Sequence, residues 1–287
     1  MGPTGSSGRK DRGSRVLIYA FAAIVAAALG AFGIVWAYQR YAIYTVPETY
    51  VTPAEAGFDA VREVRFPTES GGEAHAWVID PGPGHPVILA FQGNGARTAT
   101  SMERLMLLVE DGAGVAMLRY RGFEGLPGEP SELGFAEDAR ALYDALDDVM
   151  GQDVPPERRV LYGFSLGAGV GSRLAASRDF AGVILQGASD RTCRYYTRHL
   201  RGFPMCRLMW RERYDLVDHV VNAEAPVLVV HGTYDATVRT EEARALYDAA
   251  PNGHAFVELP GGHVDLDRHG LDDVLRDFVE TVAPAPN

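Results

Sequence analysis

The chain has 287 residues, 47% of them hydrophobic and 23% charged, which is the composition of a globular protein with room for one large α/β domain beside a targeting segment. Its formal net charge of −11 excludes nucleic acid as a main partner, because a phosphate backbone demands a basic footprint. Two cysteines and the lack of any Cys/His cluster at ligand spacing point away from a resident metal, and no pattern calls for a cofactor.

Residues 1–15 form a basic tail, with Arg9, Lys10, Arg12 and Arg15 against the single acid Asp11. Residues 16–38, Val16 to Tyr38, then run without a charge; as a helix they reach about 34 Å, enough to cross a bilayer. Only Arg40 follows closely, ahead of Glu48 and Glu55, so the charge bias places the N-terminus in the cytoplasm and the rest of the chain across the membrane. A cleaved signal peptide is the rival, with Val35-Trp36-Ala37 as the cleavage region. The run exceeds the usual length of a signal core, which favours an uncleaved anchor. Residues 39–57 read as a linker.

From residue 58 to the end, strand-like and helix-like stretches alternate, the pattern of a mostly parallel sheet covered on both faces. Val61 to Phe66 and Ala74 to Asp80 form an opening antiparallel pair around Ser70-Gly71-Gly72. Pro86 to Phe91 is a buried strand, and Thr98 to Glu110 a helix ending at Gly112. Val115 to Tyr120 is the next strand. Ser131 starts a long helix whose wet side carries Asp138, Arg140, Asp144 and Asp147. Arg159 to Phe164, Gly182 to Gln186, Pro226 to His231 and Ala255 to Leu259 complete the strands, and Leu266 to Val282 is the closing helix.

Chemistry concentrates where strands end. Gly163-Phe164-Ser165-Leu166-Gly167 joins an apolar strand to a small-residue helix; a serine in that tight turn is presented at the top of the sheet beside the positive end of the helix. Asp235 follows the strand Pro226 to His231, and His263 follows the last strand after Gly261-Gly262. The order Ser165, Asp235, His263 supplies a nucleophile, an orienting acid and a base. Asp190 is a second carboxylate at a strand end, and His269 a second late histidine inside the closing helix. The amide of Leu166 and the turn Gln92-Gly93-Asn94-Gly95, Asn94 above all, are positioned to hold an oxyanion. Asp265-x-Asp267-x-His269-Gly270 fails as a calcium loop because Arg276 stands where a bidentate glutamate is required.

These residues carry a resemblance. Phe91-Gln92-Gly93-Asn94-Gly95, Arg119-Tyr120-Arg121-Gly122-Phe123, Gly128-Glu129-Pro130-Ser131-Glu132 leading to Asp138, the Ser165 turn, His231 through Val238 and Gly262-His263-Val264-Asp265 stand in order along residues 58–287. In this the chain resembles the α/β-hydrolase superfamily, and within it the membrane-anchored Bem46-like group. The resemblance implies an α/β-hydrolase fold with a short lid insertion at about 189–224, Ser165 as nucleophile, Asp235 as acid, His263 as base and Asn94 as an oxyanion contributor. It implies action on esters, thioesters or lipids. Two positions depart from the group: Gln92 replaces its usual histidine and Arg239 its usual proline.

Two alternatives to ester hydrolysis stay open. A complete Ser-His-Asp set argues against a non-catalytic scaffold on the same fold, amidase or peptidase chemistry would use the same triad, and a serine nucleophile excludes dehalogenase chemistry. Cys193 and Cys206, 13 positions apart, form either a disulfide or two buried thiols. Arg191, Arg194, Arg198 and Arg201 would share one helix face, interleaved with Tyr195, Tyr196, Phe203 and Trp210. That face either pairs with surface acids or meets lipid phosphates, in which case the substrate is an acyl lipid entering from the membrane.

Overall fold

A computed structural model describes residues 7–201 and 204–286. Phe203 lies outside these residues, as do the side chains of Arg9, Lys10, Asp11, Arg12, Val35, Ala37, Tyr38 and Arg40. The chain divides into two units, residues 1–43 and 44–287.

The first unit is one helix, α1 (Ser7–Ile43). Within it Gly13–Ile34 has a mean hydropathy of 2.3 and none of it is buried; Leu17, Phe21 and Leu29 are exposed. Water penalises such an apolar surface, so the stretch fits a membrane anchor or a signal sequence.

The second unit is an eight-stranded sheet: β1 (Arg62–Pro67), β2 (Glu73–Ile79), β3 (Val87–Phe91), β4 (Gly114–Arg119), β5 (Arg159–Phe164), β6 (Gly182–Gln186), β7 (Val227–Gly232) and β8 (Gly253–Leu259). Their order is β1-β2-β4-β3-β5-β6-β7-β8; β1–β2 and β2–β4 pair antiparallel and all other neighbours parallel. The central strands are continuous apolar runs, and every residue of β3 to β7 is buried because helices cover both faces. Trp77, Ile88, Met117, Val160, Ile184 and Phe278 belong to the resulting core.

The helices correct the sequence reading at three places. Thr98 to Glu110 is not one helix but α2 (Thr98–Glu103) and α3 (Met106–Glu110), with Arg104 in the break. The next helix, α4 (Glu132–Asp144), begins as expected, with the Ser131 hydroxyl accepting from Gly134 N–H at 3.1 Å. Asp138, however, points inward: it is 1% exposed and takes the Arg121 Nε–H at 2.8 Å, so the helix gives up a wet position to bind the loop after β4. After α5 (Leu146–Met150) and α6 (Leu166–Ala175), the insertion holds α7 (Thr192–His199), α8 (Met205–Leu208) and α9 (Leu216–Val220). Then come α10 (Thr240–Ala249) and α11 (Leu271–Val282). The closing helix therefore starts five residues later than expected; Leu266–His269 is a 3-10 turn, separated from α11 by Gly270 at φ 90°.

In the insertion Cys193 and Cys206 are bonded to each other. The basic face is largely neutralised. Arg191 pairs with Asp215 at 3.0 Å and Asp218 at 2.7 Å, Arg194 with Asp190 at 3.0 Å, and Arg198 with Glu242. Arg201 is past the end of α7, at φ 53°, so it does not extend the helical row. Reducing the disulfide should lower stability by about 3 kcal/mol, the loop-closure entropy of a cross-link of this span. Urea midpoints with and without reductant check this, and alkylation without reductant should leave both cysteines unlabelled.

Candidate active site

Ser165 stands between β5 and α6 at φ 53° and ψ −111°, a backbone conformation costing about 1–3 kcal/mol for a residue with a Cβ. The surroundings hold it there. Its N–H donates to Gln186 O at 2.9 Å, its carbonyl accepts from Ala168 N–H at 3.0 Å, and glycine is required on either side. A Cβ on Gly163 would lie 2.6 Å from Ala168 Cα; one on Gly167 would lie 1.9 Å from the Phe91 carbonyl oxygen. The start of α6 is thus pressed against the end of β3. This brings the Leu166 amide, first of α6, beside the loop Gln92–Gly95 that leaves β3.

The histidine and the carboxylate arrive from neighbouring strand ends. His263 Nε2 is 3.0 Å from Ser165 Oγ, and His263 Nδ1 is 2.7 Å from Asp235 Oδ2. Close backbone packing sets this spacing: a Cβ on Gly232 would lie 2.3 Å from Gly262 O, and Tyr234 N–H donates to Gly261 O at 2.9 Å. The loops after β7 and β8 are therefore packed directly against each other. Burial would raise the Asp235 carboxyl, but hydrogen bonds from His263 and from the Val238 and Thr237 amides outweigh it and hold the group below its ordinary value. Asp235 is ionised near neutrality and fixes the imidazole with Nδ1 as donor and Nε2 free to accept from the serine.

The competing residues lie elsewhere. Asp190 faces Arg194, and burial raises its carboxyl above the usual range. The His269 ring packs against Gly261, and Asp265 accepts from Gly262 N–H at 2.6 Å, so both shape the turn that carries His263. Among the described residues no cluster of His, Cys, Asp or Glu could hold a metal ion.

Two contributors escaped the sequence reading. Arg104 stacks 4.8 Å from the centre of the Phe164 ring and donates to Val264 O at 2.9 Å, while Phe164 packs 5.1 Å from the His263 ring. Gly187, at φ 57°, passes His263 so closely that a Cβ would sit 3.1 Å from the ring. A break between two short helices and a lone glycine after β6 offer no local signal of either role.

His231, at the end of β7 behind this site, is fully buried, and burial pushes its pKa below 6.5. The unfolded chain then binds more protons than the folded one once the pH drops below about 6.5, so stability is complete above that value and falls as the pH is lowered. The expected loss approaches about 1.4 kcal/mol per pH unit for such a histidine, until the folded-state pKa is passed. Urea midpoints at pH 7.5 and 5.5 measure it, and His231→Gln should reduce the difference, leaving the part due to His75 and His219, whose pKa values burial also lowers.

Comparisons with known proteins agree with the geometry. A family model described as serine hydrolase (FSH1) matches residues 136–264, a span that contains Ser165, Asp235 and His263. The Mycobacterium tuberculosis protein Rv2307c is 32% identical over 273 residues, covering 93% of this chain and 95% of that protein. The alpha/beta hydrolase domain-containing protein WAV2 of Arabidopsis thaliana is 29% identical over 302 residues, with the same coverage of both chains. Among solved structures, the Pyrococcus furiosus esterase Pf2001 superposes with a TM-score of 0.67 at 17% identity, over 84% of this chain and 98% of the esterase; that likeness is one of fold. The chain belongs to the α/β-hydrolase superfamily, and its class is serine hydrolase.

Proposed function

We propose that the protein hydrolyses carboxylic esters or thioesters of acyl substrates through an acyl-enzyme on Ser165. The observation that carries the reading is the continuous path from Ser165 Oγ to His263 at 3.0 Å and from His263 to Asp235 at 2.7 Å, beside a strained serine backbone. In this reading Ser165 Oγ attacks the acyl carbonyl as His263 Nε2 takes its proton. The backbone amides of Leu166 and Asn94 hold the oxyanion. His263 then protonates the departing alcohol or thiol, and water repeats the cycle to release the acid.

The N-terminal helix would remain as an anchor, with its basic end in the cytoplasm and the catalytic domain on the far side. A disulfide supports that side, because such bonds persist in oxidising compartments. An acyl lipid remains the substrate of interest for a tethered enzyme, although the ion pairs of Arg191, Arg194 and Arg198 leave the insertion less basic than its composition. Purified full-length protein in micelles should be profiled on oxygen esters, thioesters and amides of graded acyl length. Turnover of esters or thioesters above amides supports the reading; amide preference would replace it with an amidase. The mass of the membrane-extracted protein decides between anchor and cleaved signal.

A further inference from the structure

The segment that follows α1 is built into the catalytic edge. Tyr44 Oη donates to Glu212 Oε2 at 2.5 Å and lies 2.8 Å from Tyr214 Oη. Thr45 N–H donates to Asn94 Oδ1 at 2.9 Å, and the Thr45 side chain packs over Gly95, where a Cβ would be 3.2 Å away. Pro47 O accepts from Glu124 N–H at 2.7 Å. Glu124 is only 4% exposed and sits at φ 49°; its carboxylate accepts from the Thr98 N–H at 3.3 Å and from the Thr98 hydroxyl. Thr98 opens α2, directly after the loop that leaves β3. Both ends of that loop are therefore held by Tyr44–Pro47, one end directly and the other through Glu124.

We propose that Tyr44–Pro47 is a positioning element for the oxyanion loop, an inference that rests on the serine-hydrolase reading. The Thr45 N–H holds the Asn94 side chain, and this orients the Asn94 backbone amide toward the oxygen that becomes negative. Oxyanion donors act by being fixed before the reaction; deleting one costs about 10²–10³ in turnover, and loosening one should cost about 10–100-fold. Thr45 is the second residue after α1 ends.

The test uses full-length protein in micelles, a short-chain nitrophenyl ester and a fluorophosphonate. Thr45→Pro removes the donor and Asn94→Ala the acceptor. Each should lower kcat by about 10–100-fold with KM within about two-fold, and slow phosphonylation of Ser165 in parallel, because the oxyanion forms only after binding. The double variant should be no slower than the slower single one, since both delete the same hydrogen bond. Thr45→Ala, which keeps the N–H, should recover most of the lost turnover. If Thr45→Pro does not fold, the kcat and KM of Asn94→Ala and its phosphonylation rate carry the test. Folded single variants with wild-type kcat, or a double variant whose losses multiply, would overturn the inference while leaving the serine-hydrolase reading intact. Wild-type protein that neither turns over esters nor labels would overturn both.

Discussion

Ser165→Ala and His263→Ala should each reduce ester turnover by about 10⁴–10⁶-fold, since triad members act as a unit. The distances agree with such a unit: His263 Nε2 lies 3.0 Å from Ser165 Oγ, and the other ring nitrogen lies 2.7 Å from Asp235 Oδ2. Asp190, the nearest rival acid in sequence terms, is committed to Arg194. Asp235→Asn should cost about 10⁴-fold, because an amide accepts poorly from Nδ1–H and lets the ring take the wrong tautomer. A fluorophosphonate should modify the wild type at Ser165 alone. Labelling of Ser165→Ala at the wild-type rate would mean that another residue is the nucleophile. Substrate affinity should change far less than turnover, because the oxyanion and imidazolium exist only beyond the ground state.

A large effect on folding is expected at Gly167, comparable to truncating a large residue of the apolar core. Replacing a glycine inside a helix by alanine normally gains about 1 kcal/mol in helix propensity, and Gly167, in the first turn of α6, would gain less. Here the new Cβ would lie 1.9 Å from Phe91 O and 2.7 Å from Gln92 O. Both obstacles are backbone, so relief requires α6 to move off β3, and the loss should reach about 3 kcal/mol or more. Gly171, on the same helix, is the control. Its Cβ would meet Leu161 Cδ2 at 2.6 Å, a side-chain methyl of a buried residue and not backbone, so Gly171→Ala should cost about 1–3 kcal/mol, less than Gly167→Ala. Urea unfolding of the three proteins compares them. Gly167→Ala should also lose activity before it unfolds, since any shift of α6 displaces the Leu166 amide and Ser165 together.

How much was legible in advance follows the range of the forces. The buried strands Val87–Phe91, Arg159–Phe164 and Val227–Gly232 are visible as unbroken apolar runs, because each is covered on both faces and needs no polar alternation. The tight turn at Ser165 is visible because only glycine fits two positions around it. Asp138 misled because it occupies a regular surface position of α4; its inward turn depends on Arg121, a partner outside the helix. The arginines of the insertion misled for a similar reason. Spacing places Arg194 and Arg198 along one helix, whereas Asp190 and Glu242, on separate elements, decide what they face.

By itself the sequence determined the order of the strands, the strained turn for Ser165 and the strand ends that carry Asp235 and His263, since each depends on neighbours within a few residues. Only the tertiary structure decided the rest. It joined Cys193 to Cys206, placed Gly187 against His263 and Arg104 over Phe164, and laid Tyr44–Pro47 along the loop of Asn94. Those choices are made by hydrogen bonds and packing between groups far apart in the chain. Thr45 and Asn94 are 49 positions apart and Tyr44 and Glu212 168, distances over which hydrophobic periodicity and turn chemistry carry no information about which partners meet.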